Sequence, residues 1–273
     1  MVRGIIGLVV SGAALLHGAA WAQTPAEPEQ RVALVIGNGA YQQDRLRNPV
    51  NDATDMAESL RELGFKVILR TDANQRQMKR SLREFRTELR RGGVAMFYYA
   101  GHGVQHRGRN YLIPVGADIE AESDIEDESV DANLIMGYME EAGTRVNIVV
   151  LDACRNNPFA RSFRSSSRGL VVMESGAKGT FVAYATAPGS VAFDGDGRNG
   201  LYTKHLLASL KHADSDIERV FKRVRSSVAE ETRNAQIPWD SSSLLGDFRF
   251  RPEAPRGAAV GTQKAPAFFA PRF

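Results

Sequence analysis

The sequence predicts an α/β domain with a mostly parallel six-stranded sheet flanked by helices on both faces. Two observations carry this. Short apolar runs that read as buried strands alternate with segments of helical period along the chain. At 273 residues and 43% hydrophobic content, the chain can also build one sizeable core. No internal repeat interrupts the alternation.

Residues 1–22 stand outside that domain. Met1-Val2-Arg3 is a short basic start, residues 5–16 are mostly apolar, and Ala20-Trp21-Ala22 is a cleavage pattern. This reads as a secretory signal peptide, too short for a comfortable membrane span. An uncleaved amino-terminal anchor is the alternative. The expectation is export to a periplasmic or extracellular space, with no stable membrane insertion after cleavage. A Pro/Glu-rich linker covers 23–30.

The domain is expected over 31–251. Residues 31–36 are an apolar strand. Asn48-Pro49 supplies a helix cap and a first-turn proline, and Val50, Ala53, Met56, Ala57, Leu60 and Leu63 follow at helical spacing up to Gly64. Residues 65–69 are the second strand. Met78, Leu82, Phe85 and Leu89 mark a second helix ending near Gly92. Strands over 94–98 and 146–150 enclose a loop and a helix around 134–139. A fifth strand covers 180–185, and helices cover about 200–210 and 215–231. Residues 247–251 are read as a short last strand, and 252–273 as a disordered tail rich in Pro, Ala and Gly.

Composition excludes some functions. The formal charge is +3, and falls to +2 without Arg3 and the rest of the leader. That argues against nucleic acid, since no concentrated basic stripe accompanies it. The lone cysteine, Cys154, has no partner for an internal disulfide and is a free thiol of interest. An inert buried cysteine is the bland alternative.

Chemistry concentrates after two strands. Tyr99-Ala100-Gly101-His102-Gly103 follows the strand at 94–98, and Leu151-Asp152-Ala153-Cys154-Arg155-Asn156 follows the strand at 146–150. Open α/β sheets gather ligands at the carboxyl ends of their strands, so a thiol and an imidazole are placed to meet there. The thiolate is the nucleophile, and it needs a neighbouring base at neutral pH. His102 lies 52 residues before Cys154. Its alternative is a loop histidine between flexible glycines.

These motifs resemble the caspases, whose signature is Gln-Ala-Cys-(Arg/Gln/Gly)-Gly with a histidine about 50 residues upstream. The chain keeps Ala153-Cys154-Arg155 but has Asp152 and Asn156 at the flanks. Asp two residues before the nucleophile is similar to metacaspases and prokaryotic caspase homologues, the orthocaspase type of the C14 peptidases. Val32-Ala33-Leu34-Val35-Ile36-Gly37-Asn38 and Tyr184-Ala185-Thr186-Ala187-Pro188-Gly189 extend the resemblance over about 31–250. It implies the caspase-hemoglobinase fold. A large-subunit-like part would run to about 158 and a small-subunit-like part from about 169.

The resemblance implies a His102–Cys154 dyad with no third carboxylate. Backbone N–H groups of Gly103 and Cys154 would form the oxyanion hole, and an acidic pocket would take Arg or Lys of a protein or peptide substrate. Asp152 lies on the face of Cys154 if the strand continues. A negative charge there opposes thiol ionisation, so substrate recognition explains it better. Asp52, of Asn51-Asp52, matches a second pocket position; its rival role is a first-turn acid favouring the helix dipole. The family often has Ser where this chain has Ala100.

Two segments break the alternation. Residues 117–131 hold eight acids and read as a solvated loop. Calcium binding, which occurs in some metacaspases, is the alternative because carboxylates are hard oxygen ligands, but the spacing is not that of an EF-hand, so no cofactor is expected apart from that calcium alternative. Residues 159–168 carry Arg161, Arg164 and Arg168 in an accessible connection suited to self-cleavage. Gly37-Asn38-Gly39 has Gln42 where a dinucleotide fingerprint needs glycine. His102 and His106 lack a further ligand set for zinc. The expectation is a cysteine endopeptidase cleaving after Arg or Lys. The alternatives are a caspase-fold binding or scaffold protein and a thiol-based redox protein. The sequence is silent on oligomeric state.

Overall fold

Each position from Arg31 to Gly37 is buried, as expected for a strand covered on both faces. In the structure, a computed structural model, this strand is β1. The structure describes residues 29–154, 170–173, 178–187, 190, 192–212 and 215–251, with Cys154 described in its backbone alone. The leader, nearly all of the linker, the tail, Pro188-Gly189, and Arg161, Arg164 and Arg168 lie outside the described residues.

The elements run β1, α1 (Pro49–Glu62), β2 (Lys66–Thr71), α2 (Gln75–Glu88), β3 (Val94–His106), β4 (Arg109–Leu112), α3 (Asp124–Glu128), β5 (Val130–Asp131) and α4 (Asn133–Ala142). They continue with β6 (Val146–Cys154), β7 (Thr180–Tyr184), α5 (Leu201–Leu210), α6 (Ile217–Glu231) and β8 (Trp239–Ser242). The main sheet has the order β2-β1-β3-β6-β7-β8, parallel except for the antiparallel β8 edge. Strand alternation divides the core in two. Ala33, Val35, Met96 and Tyr98 pack with α1, α5 and α6, whereas Val32, Leu34, Ile36, Phe97 and Tyr99 pack with α2 and α4.

Several elements differ from the expectation. β3 does not stop at Tyr98; it continues to His106 and turns through Arg107 and Gly108 into β4. Both turn residues have positive φ, 47° and 77°, the geometry of a two-residue hairpin turn. The sixth strand is β8, and residues 247–251 form only an isolated bridge, Asp216↔Arg249. Their backbone groups are taken elsewhere: Arg31 donates to the Phe250 and Arg249 carbonyls, and Ile217 N–H to the Phe248 carbonyl. The aromatic rings of Phe248 and Phe250 bury in the core instead. The acid-rich 117–131 segment is not simply solvated. Ile119, Ile125 and Val130 are buried, and the first two build a satellite cluster with Tyr41, Val104, Tyr111 and Ile113.

Asn48 precedes α1 as expected but makes no side-chain cap bond. Its Nδ2 donates instead to the Asp194 carbonyl at 2.5 Å, tying the start of α1 to the loop before α5.

Candidate active site

β3 and β6 pair in parallel register from Val94↔Val146 through Ala100↔Asp152 to His102↔Cys154. Adjacent strands lie about 4.8 Å apart, so the backbones of His102 and Cys154 are immediate neighbours. The sequence implied two strand ends; the structure puts the two residues in one register pair.

His102 is 2% exposed and tightly framed. Its N–H donates to Tyr41 Oη at 3.0 Å. Its carbonyl accepts from Tyr99 Oη at 2.8 Å and from Ile113 N–H at 3.0 Å. The Tyr41 ring lies 4.4 Å from the imidazole, centroid to centroid. Gly101 makes room for this frame: with φ at 154°, a Cβ there would lie 2.7 Å from both tyrosine hydroxyls. Gly103 is buried in β3, and a Cβ there would lie 3.2 Å from Ala153 Cβ and Leu170 Cδ2. Its lack of a side chain thus serves close packing of β3 on β6.

The imidazole has a defined tautomer. His102 Nε2 lies 2.6 Å from the Asp44 carbonyl, which only accepts, so Nε2 carries the proton in the neutral ring. Nδ1 is then a bare lone pair, and it has no hydrogen-bond partner among the described residues. Burial lowers the pKa of His102, against the raising effect of the Asp44 carbonyl and nearby acids. The ring is a neutral base at neutral pH. Asp44 holds its carbonyl in place with φ at 51°, a left-handed conformation that aspartate tolerates. Sequence reasoning missed this orienting group because every residue carries a carbonyl, and no side-chain pattern marks the one that is used.

A second cluster lies where α1, β6 and the start of α5 converge. Asp52 is 2% exposed, and its Oδ1 accepts from Gly200 N–H at 2.9 Å. Asp152 is half-buried, and its Oδ2 accepts from Thr203 Oγ1 at 2.6 Å. A Cβ on Gly200 would lie 3.1 Å from Asp52 Oδ2 and 3.7 Å from Asp152 Oδ2, so the lack of a side chain lets the Gly200 backbone pack closely against both carboxylates. Burial, reinforced by the Asp152 charge, pushes the Asp52 carboxyl up to about 8. Burial also raises Asp152 to about 6, with Asp194 adding to the rise and the Thr203 hydroxyl opposing it. The helix dipole favours an anion in the first turn of α1. At Asp52 burial outweighs it.

Asp194 is the third acid of this cluster, one that sequence reasoning missed. Its carboxylate accepts from Arg47 N–H at 3.2 Å, and its charge acts on Asp52, Asp152 and His102. The 194–200 loop is clamped to α1 by Arg198 and Asn199 on Asp55, at 2.7–2.9 Å. Nothing in Phe193-Asp194-Gly195-Asp196 marks one acid over the other; only the fold selects Asp194. Among the described residues neither Asp52 nor Asp152 is in a salt bridge; Arg198, which feels the Asp52 charge, is paired with Asp55. Charges confined this way favour an incoming cation. No group of three or more His, Cys, Asp or Glu side chains among the described residues is arranged to hold a metal. None of the described helices is long and apolar enough to cross a membrane.

The caspase domain family model matches residues 30–249. The mucosa-associated lymphoid tissue lymphoma translocation protein 1 of Homo sapiens is 30% identical over 190 residues, covering 67% of this chain and 22% of that protein. Its Mus musculus homolog is 30% identical over 182 residues, covering 65% of this chain and 21% of that protein. The chain thus spans only about a fifth of the length of these relatives.

Proposed function

This chain belongs to the caspase domain family, a family of cysteine peptidases with the fold described above, and on that premise we propose that it is an endopeptidase cleaving after Arg or Lys. The His102↔Cys154 register pair is the observation that carries the proposal. Two residues upstream, Ala100↔Asp152 brings one acid of the charged cluster to the same strand pair.

The proposed steps follow from the imidazole tautomer. His102 Nδ1 takes the proton of the Cys154 thiol, while Nε2–H stays on the Asp44 carbonyl. The thiolate adds to the scissile carbonyl carbon, and the oxyanion is met by backbone N–H groups, for which Gly103 and Cys154 are the candidates. The tetrahedral adduct collapses by breaking the C–N bond. His102 passes its proton to the leaving amine. His102 then removes a proton from water, hydroxide adds to the thioester, and collapse releases the carboxylic acid and regenerates the dyad.

Specificity rests on the acids. A guanidinium entering beside Gly200 would meet Asp52 and Asp152, with Asp194 at the rim, and restore their ionised forms. Arginine fits two carboxylates better than a point-charge ammonium does. Export rests on the leader sequence alone.

The test is covalent labelling with a peptidyl-Arg acyloxymethyl ketone. Modification of Cys154 at a rate far above that of free thiol, lost in His102→Ala, supports the proposal. Labelling no faster than free thiol would refute the enzyme reading in favour of a binding protein. Amino-terminal sequencing of the secreted protein tests export, with Gln23 as the expected first residue.

A further inference from the structure

His102 borders a second depression, a cavity of about 160 Å³ walled by Tyr41, Gln42, Gln43, Ile113, Pro114 and the 116–120 segment. It shares no wall with Asp52, Asp152, Asp194, Gly200 or Thr203. The proposed chemistry has no role for it so far.

Its construction is specific. The floor is apolar: Tyr41, Ile113 and Ile119 are each at most 8% exposed and belong to the satellite cluster. The rim carries Asp118 and Glu120, both exposed, and Gln42 and Gln43. No cationic side chain among the described residues lines it. The rim segment is held in place: Asp124 Oδ2 accepts from Glu120 N–H at 3.1 Å and Ala121 N–H at 2.8 Å, and Val115 N–H donates to the Ala73 carbonyl at 3.0 Å. The acids of the 117–131 segment therefore do two jobs: Asp124 anchors the rim, while Asp118 and Glu120 charge it.

The direction of a substrate across the site follows from the proton transfer. If Arg before the scissile bond occupies the Gly200 cluster, the amine that His102 protonates belongs to the next residue. That residue must lie beyond His102, on the side away from Asp52 and Asp152. We propose that the cavity beside His102 is the leaving-group subsite and that it selects a basic residue, Arg or Lys, immediately after the scissile bond. The aliphatic stem lies on Ile113 and Ile119, and the charged head reaches Asp118 and Glu120 at the rim. An acidic residue there meets like charge and, among the described residues, no cation. This inference rests on the peptidase reading above and adds a second specificity site to it.

The experiment uses the full chain and internally quenched peptides that share one Arg at the cleavage point and differ only in the next residue: Arg, Leu, Gly or Glu. A peptidyl-Arg aminocoumarin, with no amino acid after the scissile bond, normalises every preparation. Burying about two methylenes of stem gives Arg roughly tenfold in kcat/KM over Gly, with Glu slowest. In Asp118→Asn/Glu120→Gln the Arg-over-Leu ratio falls about threefold, as expected for two exposed opposite charges. Equal kcat/KM for the four peptides, with coumarin still released, would overturn the subsite and leave the peptidase reading standing. An Arg-over-Leu ratio unchanged in the double variant would equally overturn it. Absence of coumarin release would overturn both.

Discussion

Neutralising Asp52 should make the protein more stable and the enzyme worse, and the gain should grow with pH. Asp52→Asn keeps an acceptor for Gly200 N–H, now 2.9 Å from Oδ1, and removes a charge that is 2% exposed and faces Asp152. In the unfolded chain the carboxyl titrates near pH 4; in the fold it is pushed up to about 8. A raised folded pKa means that the protonated form is the one that folds best. Its contribution is therefore full below about pH 4 and is lost as pH rises to about 8. The linkage slope in that window approaches about 1.4 kcal/mol per pH unit for one proton. Asp152 titrates with it, so part of the loss belongs to the pair. Asp52→Asn should be nearly neutral at pH 4.5 and more stable than its parent by about 3 kcal/mol or more at pH 8. The measurement is urea unfolding at pH 4.5, 6, 7 and 8, with both proteins in the Cys154→Ala background to prevent self-digestion. Loss of a charged hydrogen bond to substrate, ~1.5–3 kcal/mol, should lower kcat/KM on Arg substrates by about 10- to 150-fold when Cys154 is restored. A stability difference that is flat with pH, or one that favours the parent at high pH, would refute burial as the dominant influence on Asp52.

The dyad predicts that Cys154→Ala and His102→Ala each abolish turnover while keeping the fold, because groups acting as a unit fail together; turnover at parental rate by purified Cys154→Ala sinks the mechanism. Because Asp152 and Asp52 lose protons at about 6 and about 8, kcat/KM on Arg substrates should climb from pH 5.5 to pH 8, and Asp152→Asn should flatten the climb; a parental profile that falls over this range contradicts the acidic pocket. Tyr41→Phe strips the acceptor from the buried His102 N–H, so thermal or urea unfolding should show a loss of about 1–3 kcal/mol; an unchanged midpoint removes Tyr41 from the frame. Active protein should cut itself after Arg161, Arg164 or Arg168, with none of this in Cys154→Ala; intact mass spectrometry decides it, and equal cutting in the variant points to another protease.

The periodic and the local were legible in the sequence. Strands buried on both faces announce themselves as apolar runs, so β1, β6 and β7 were placed within a few residues and β3 at its start, and α1 and α6 followed from apolar residues at helical spacing. Cys154 and His102 stood out because reactive side chains after apolar runs are rare. Short or polar strands were not legible. β5 has two residues, and Trp239-Asp240-Ser241-Ser242 has a turn-like composition; both pair because a neighbouring strand offers an open edge. Residues 247–251 look like a strand but lose their backbone groups to Arg31 and Ile217.

What the sequence determined by itself is therefore the long apolar or strongly periodic elements and the two reactive side chains, since hydrophobic period and residue chemistry are properties of the chain. What the tertiary structure alone decided is which groups confront each other across distance. The Asp44 carbonyl lies 58 positions from His102, and Gly200 reaches Asp52 across 148. Asp194 rather than Asp196 joins the acidic cluster. Such choices depend on register and on loop anchoring, set by the whole packed sheet. The raised carboxyls of Asp52 and Asp152 likewise come from burial and proximity, which exist only once the chain has folded.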